Sequence, residues 1–418
     1  MNAFSTIDMA EVTRLTRAGQ LNEAMALLQG RPAPAKPQAA AGEGTLHNAA
    51  DATRPWRTID MAAPAAPGGA WTAPGFGQGA TGEAPTGKGG TARQSLSATI
   101  RALRERFPKV GTMPDLGADL GLPRRAPVPV PDGARYEERT FANAAGSRSY
   151  KVYVPSGYTG QALPVVVMLH GCTQSADDFA AGTRMNELAE ELTFLVAYPE
   201  QPQSANLQKC WNWFNASDQQ RDAGEPSLLA GMAREVIREF SGDPTRVYAA
   251  GLSAGGAAAA ILASTYPDLF AAVGVHSGLP SGVAKDMPSA FAAMNGGGVA
   301  QPRGTRRTVP TIVFHGDADR TVHPVNGDRV ITQASSGRTL EMEVGRGTSE
   351  GGTAYTRTVQ REGNGPAFLE QWVLHGSGHA WSGGSASGTY TDPRGPDASR
   401  EMMRFFLAHA STTAQTRH

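Results

Sequence analysis

Cysteine is nearly missing from this chain of 418 residues: only Cys172 and Cys210 occur, which excludes a disulfide-dense scaffold and leaves at most one internal pairing. An excess of either charge is missing too. Lys plus Arg equals Asp plus Glu at 38 each, so no overall field draws the chain to nucleic acid or an anionic membrane. No apolar run approaches the roughly 20 residues of a membrane span. The stretch from Met1 to Leu28 breaks its apolar positions with Asp8, Glu11, Arg14, Arg17 and Glu23, so the continuous apolar segment of a secretory signal is absent and a cytoplasmic location is the default expectation. The cysteines leave an alternative open. Paired, they would close a loop worth roughly 4 kcal/mol in the chain-entropy model and would suit an oxidising, extracellular setting; unpaired, they are two thiols of a reduced cytosol.

What the chain has in abundance is glycine, 50 residues, and proline, 29. Their distribution divides it. Residues 6 to 29 carry a helical pattern interrupted at Ala18-Gly19, a short helical hairpin. From Gly30 to about Gly90 the composition of Pro, Ala, Gly and Thr cannot bury a core and reads as a linker. A second helix is expected over Ala92 to Phe107. Residues 1–133 therefore form an extension and residues 134–418 the folded domain. Within that domain, apolar runs at Val165–Leu169, Phe194–Tyr198, Val247–Ala250, Ala271–Val275, Thr311–Phe314 and Phe368–Leu374 read as strands. Helical stretches at Thr183–Leu192, Ser227–Glu239 and Gly255–Tyr266 lie between several of them. This alternation predicts an α/β fold with a mostly parallel sheet covered on both faces. Tyr136 to Val154 is expected as an opening antiparallel hairpin and Arg400 to Ala410 as a closing helix.

Gly251-Leu252-Ser253-Ala254-Gly255 follows one of these strands and opens an Ala-rich helix, the strand–turn–helix setting that a nucleophile elbow requires. Glycine is needed there because strand and helix approach too closely for a Cβ. The chain contains its own control. Gly347-Thr348-Ser349-Glu350-Gly351 has the same pattern, but it lies between two β-like runs and reads as a hairpin loop. Ser253 is thus the candidate nucleophile.

A serine hydroxyl needs a base, and the base needs an orienting acid. In parallel-sheet hydrolases these follow the serine in the order acid, then His, each after a strand. His315-Gly316-Asp317-Ala318-Asp319 follows the strand at Thr311. Asp319 is preferred over Asp317 because a few residues of turn are needed to swing the carboxylate back, and Asp317 is expected to hydrogen-bond its own loop. Among nine histidines, His379 follows the next strand in a flexible Gly-rich loop; His375 is the alternative base. His170, His276 and His315 are expected to bind loop backbone. The oxyanion donors are expected to be the N–H groups of Ala254, next after the nucleophile, and of Cys172, after an early strand. Trp211 and Trp213 follow the second cysteine and are read as an apolar platform for substrate in preference to core.

Together, His-Gly-Cys-Thr-Gln at 170–174, Cys-Trp-Asn-Trp-Phe at 210–214, Gly-Leu-Ser-Ala-Gly-Gly at 251–256, His-Gly-Asp-Ala-Asp-Arg-Thr-Val at 315–322 and Gly-His-Ala-Trp-Ser-Gly-Gly at 378–384 resemble the poly(3-hydroxybutyrate) depolymerase family of esterases, whose relatives include feruloyl and acetylxylan esterases. The resemblance spans about residues 135 to 410. It implies an α/β-hydrolase fold, a triad of Ser253, Asp319 and His379, Cys172 as oxyanion donor and disulfide partner of Cys210, and substrate-facing Trp211, Trp213 and Trp381. It implies hydrolysis of a short-chain polyester or its oligomers through an acyl-enzyme, without cofactor or metal. Three other readings stand beside it. One is a feruloyl or acetylxylan type of esterase. Another is cleavage of a polyamide, for which Arg303, Arg306 and Arg307 could receive an anionic chain, although these arginines are read as a solvated charge cluster in preference. The third is a binding role in which the N-terminal extension docks on a polymer inclusion or partner, or joins copies of the chain into an oligomer.

Overall fold

The computed structural model describes residues 128–298 and 307–411. The expected N-terminal hairpin, linker and second helix, and Arg303 and Arg306, lie outside those residues. The chain opens with the hairpin β1 (Arg135–Asn143) and β2 (Gly146–Val154), then β3 (Leu163–Leu169), α1 (Ala176–Thr183), α2 (Met185–Leu192) and β4 (Leu195–Pro199). A long loop with one 3-10 turn leads to α3 (Gly224–Glu239), β5 (Gly242–Leu252), α4 (Ala254–Thr265), β6 (Ala272–His276) and α5 (Met287–Met294). Next come β7 (Thr311–Gly316), α6 (Val325–Ala334), the hairpin β8 (Glu341–Thr348) and β9 (Ala354–Arg361), and β10 (Ala367–Leu374). Two short strands, β11 (Trp381–Ser382) and β12 (Thr391–Asp392), precede the last helix, α7 (Ala398–Leu407).

The ten main strands form one sheet in the order β1-β2-β4-β3-β5-β6-β7-β10-β9-β8. Neighbours from β4 to β10 run parallel, and an antiparallel pair closes each edge. The period of two along β3 explains why it must be central: Val165, Val167 and Leu169 enter one core with α3 and α4, while Val166 and Met168 enter another with α1, α2 and α7. A strand covered on both faces reads as a near-continuous apolar run.

The helix expected from Thr183 to Leu192 is α2, which starts at Met185, and α1 ahead of it was not expected. Arg184 sits at φ 57° between α1 and α2, where the loop around Gly388 presses so close to Gly182 that a Cβ on Gly388 would stand 2.3 Å from the Gly182 backbone. Helices α5 and α6 were likewise not expected. Both are short, although α5 carries a capping box between Asp286 and Ser289 that marks its start in the sequence. No helix among the described residues is long and apolar enough to cross a membrane.

Candidate active site

The carboxyl ends of β3, β5, β7 and β10 present the expected residues along one edge of the parallel sheet. At the end of β5, Ser253 adopts φ 59° and ψ −119°, a conformation that costs a non-glycine residue about 1 to 3 kcal/mol and persists only when its surroundings impose it. The surroundings are visible. A Cβ on Gly255 would lie 2.0 Å from the Leu169 carbonyl oxygen, and one on Gly251 would lie 2.4 Å from Gly255 backbone. The elbow is therefore wedged against the end of β3, and the Ser253 N–H donates to the His276 carbonyl at 2.9 Å. The Ala254 N–H opens α4 and, like that of Cys172, donates to no other described residue. The second pattern copy is indeed the β8–β9 loop: Ser349 N donates to Thr353 O, and its hydroxyl to the Arg394 carbonyl.

The loop after β7 brings Asp319 to the loop after β10. Its Oδ2 lies 2.7 Å from His379 Nδ1, and its Oδ1 accepts the N–H groups of Thr321 and Val322, each at 2.9 Å. His315 Nε2 adds a contact to Oδ2 at 3.4 Å while bonding the Val322 carbonyl at 2.8 Å. Burial pushes the Asp319 carboxyl up, but hydrogen bonds from His315 and His379 outweigh it and hold the group well below the usual carboxylate range. An ionised carboxylate only accepts, so the Nδ1 of His379 carries the proton and Nε2 is left with its lone pair. The two loops fit tightly: a Cβ on Gly316 would lie 2.2 Å from the Ser377 carbonyl oxygen.

Asp317 reaches mainly beyond its own loop, its carboxyl also meeting its own backbone N–H. Its Oδ1 accepts the Gly376 N–H at 2.7 Å and its Oδ2 meets His375 Nδ1 at 2.9 Å, so it ties the β7 loop to the β10 loop. His375 Nε2 is taken by Thr356 Oγ1 at 2.8 Å. The three other histidines near the sheet ends bind backbone. His170 accepts Gln201 N–H at Nε2 and contacts the Gly171 carbonyl through Nδ1, and His276 accepts Ser382 N–H at Nε2, 3.0 Å. Burial, with His315 and His379 nearby, lowers His276 to about 3.

Cys172 and Cys210 form a disulfide, and Thr173 N donates to the Gln208 carbonyl at 2.6 Å, so the loop after β3 is joined twice to the loop after β4. Behind them Glu225 is buried, its carboxyl pushed up by desolvation and by Asp218, and it accepts Asn212 N and Nδ2 at 2.7 Å each.

The tryptophans correct the platform reading. Trp211 and Trp381 are each 1% exposed. Trp211 donates to the His170 carbonyl within the core against α3 and α4, and Trp381 donates to Ser399 Oγ and packs on Phe179 and His276. Trp213 is likewise buried, against Phe214. Their indoles close the core beneath the loops because each N–H has an internal acceptor or each ring a packed neighbour, and they offer no open face. An exposed aromatic side chain does adjoin the Cys172 loop, and it is one the sequence did not point to. Tyr390 is exposed, its hydroxyl lies 3.3 Å from Thr173 Oγ1, and its carbonyl accepts Trp381 N–H at 2.7 Å. It sits in a loop without strand or helix signal, which hid it.

Residues 148–341 match the family model described as Esterase PHB depolymerase. A poly(3-hydroxyalkanoate) depolymerase C from Paucimonas lemoignei is 33% identical over 265 residues, covering 60% of this chain and 61% of that protein. A feruloyl esterase B from Thermothelomyces thermophilus is 32% identical over 248 residues, covering 54% of this chain and 82% of the relative. The chain thus spans about three-fifths of the length of the depolymerase it matches. Among solved structures, an acetyl xylan esterase from Aspergillus awamori superposes with a TM-score of 0.53 at 20% identity, over 66% of this chain and 99% of that one. The fold is the α/β-hydrolase fold.

Proposed function

Because the chain belongs to the esterase PHB depolymerase family, we propose that it is a serine carboxylesterase whose triad is Ser253, Asp319 and His379. The observation that carries the reading is the buried Asp319–His379 hydrogen bond at the same sheet edge as a serine held at positive φ. In this reading His379 Nε2 takes the proton of Ser253 as its Oγ bonds to the ester carbonyl carbon. Asp319 stays ionised and stabilises the imidazolium. The carbonyl oxygen gains negative charge and faces the N–H groups of Cys172 and Ala254. Collapse breaks the bond to the alcohol oxygen, which leaves with the proton from His379. Water, deprotonated by the same nitrogen, then releases the acid and restores Ser253.

The substrate proposed is a short-chain hydroxyalkanoate polyester or its oligomers, as the name of the depolymerase relative suggests. A second reading, aryl or acetyl esters carried on polysaccharide, draws on the relatives named as feruloyl and acetylxylan esterases. The Cys172–Cys210 bond favours an oxidising compartment as the working site. Docking of the 1–133 extension on a polymer surface remains a proposal from its composition.

Ser253→Ala tests the chemistry. Turnover of p-nitrophenyl esters should fall by a factor on the order of 10⁵ to 10⁶ with the melting temperature unchanged, and a fluorophosphonate should label the wild-type peptide containing Ser253. Ser349→Ala should keep nearly full activity. Exchanged phenotypes would remove Ser253 from the mechanism.

A further inference from the structure

Tyr390 occupies a conspicuous place for a residue outside the triad. Its carbonyl is held by the N–H of Trp381, two residues after His379, and its hydroxyl by Thr173, the residue after Cys172. One residue, through its backbone on one side and its side chain on the other, thus links the loop of the base to the loop of the oxyanion donor. Gln174 secures the arrangement: its Oε1 accepts Gly171 N–H at 2.9 Å, and its Nε2 donates at 3.0 Å to the carbonyl of Thr389. Thr389 N in turn donates to Asp178 of α1 at 2.9 Å. So fixed a loop has no structural need to expose an aromatic ring, yet Tyr390 is 47% exposed.

Two further observations fall on the same spot. Leu207 is 83% exposed and precedes Gln208, whose carbonyl takes the Thr173 N–H. Backbone strain also gathers there: Thr173, Lys209 and Tyr390 have φ of 66°, 52° and 53°, a region that non-glycine residues enter only when the surroundings impose it. Exposed apolar side chains on or next to strained, firmly tied backbone, beside the loop that carries the proposed oxyanion donor, are arranged for something that arrives from outside. The arrangement adjoins the oxyanion donor, where the acyl part of an ester remains throughout both half-reactions.

We propose that Tyr390, assisted by Leu207, forms the apolar rim on which the acyl chain of the substrate lies, and that it makes the enzyme select acyl groups of several carbons over acetyl. This rests on the esterase reading above and narrows its substrate class. The ring contributes contact area, and the hydroxyl only fixes its orientation through Thr173.

The test is the ratio of kcat/KM for p-nitrophenyl hexanoate to that for p-nitrophenyl acetate, in the wild type, Tyr390→Ala, Tyr390→Phe and Leu207→Ser. The ratio should fall about tenfold in Tyr390→Ala, chiefly through KM, and by a smaller factor in Leu207→Ser. Tyr390→Phe should keep a ratio close to that of the wild type. The proposal is overturned if the ratio is unchanged in Tyr390→Ala, or if Tyr390→Phe and Tyr390→Ala slow both esters equally, since the residue would then only brace the oxyanion loop. A wild-type enzyme that turned over neither ester would refute the esterase reading instead.

Discussion

Two aspartates two positions apart in one loop each bind the Nδ1 of a histidine, and their surroundings make them different objects. Asp319 and His379 meet at 2.7 Å with the carboxylate buried, two backbone N–H groups on its other oxygen and His315 alongside. Asp317 and His375 meet at 2.9 Å, but both side chains are more than two-fifths exposed, and Thr356 occupies the far nitrogen of the imidazole. The far nitrogen of His379 has no hydrogen bond to any described residue. The same pair of side chains is thus a fixed, desolvated dipole in one place and a solvated clasp between loops in the other. Water weakens the exposed pair by screening, whereas the buried carboxylate cannot be replaced by solvent.

Exchanging the acids tests this contrast most severely. Asp319→Asn should lower kcat by a factor on the order of 10³ to 10⁴, because the imidazole loses both its orientation and its tautomer; Asp317→Asn should cost about tenfold or less. Similar losses from steady-state kinetics of the two variants would erase the distinction.

Acid titration sharpens it. In the unfolded chain a histidine gains its proton near pH 6.5, but His276, between Phe314 and Trp381, resists protonation down to about 3, and burial lowers His170 in the same direction. Below about pH 6.5 the unfolded state therefore binds more protons, and stability falls as pH drops toward 3. Asp319 acts later: its depressed value stabilises the fold at every pH above the ordinary carboxylate range and is lost only below it. Denaturant midpoints between pH 8 and 4.5 should fall in the wild type and fall less in His276→Gln. An equal slope in both proteins would assign the acid sensitivity elsewhere.

The smallest effect belongs to the exposed pair. His375→Gln should change stability by less than about 1 kcal/mol and lose what difference it makes in high salt. A larger, salt-insensitive loss in chemical denaturation would mean that the clasp behaves as a buried element.

Much of this was legible because reactive residues were marked by what surrounds them locally. Ser253 has glycines where backbones collide, and Asp319 and His379 follow apolar runs at strand ends; the structure brings these last two into contact. The opening hairpin and the β8–β9 loop around Ser349 were read from turn residues and alternation. What escaped depended on distant packing. Helix α1, which was missed, is eight residues long and packs at Gly182 against the loop around Gly388, two hundred residues away. An aromatic cluster reads alike whether it faces solvent or core, and only the acceptors found by Trp211 and Trp381 decide for the core. Tyr390 owes its place to Thr173 and Trp381, neither adjacent in sequence.

The glycine contacts at the elbow carry one more consequence, for how such a chain can change over generations. With Gly255 against Leu169, Gly251 against Gly255 and Gly316 against Ser377, the parts that hold serine, acid and base leave no room for even one added methyl group. Variation that survives must therefore enter through residues whose side chains already point outward. A mutational library confined to positions such as Leu207 and Tyr390 should yield folded enzymes with altered preferences, while one directed at these glycines should yield mainly protein that fails to fold.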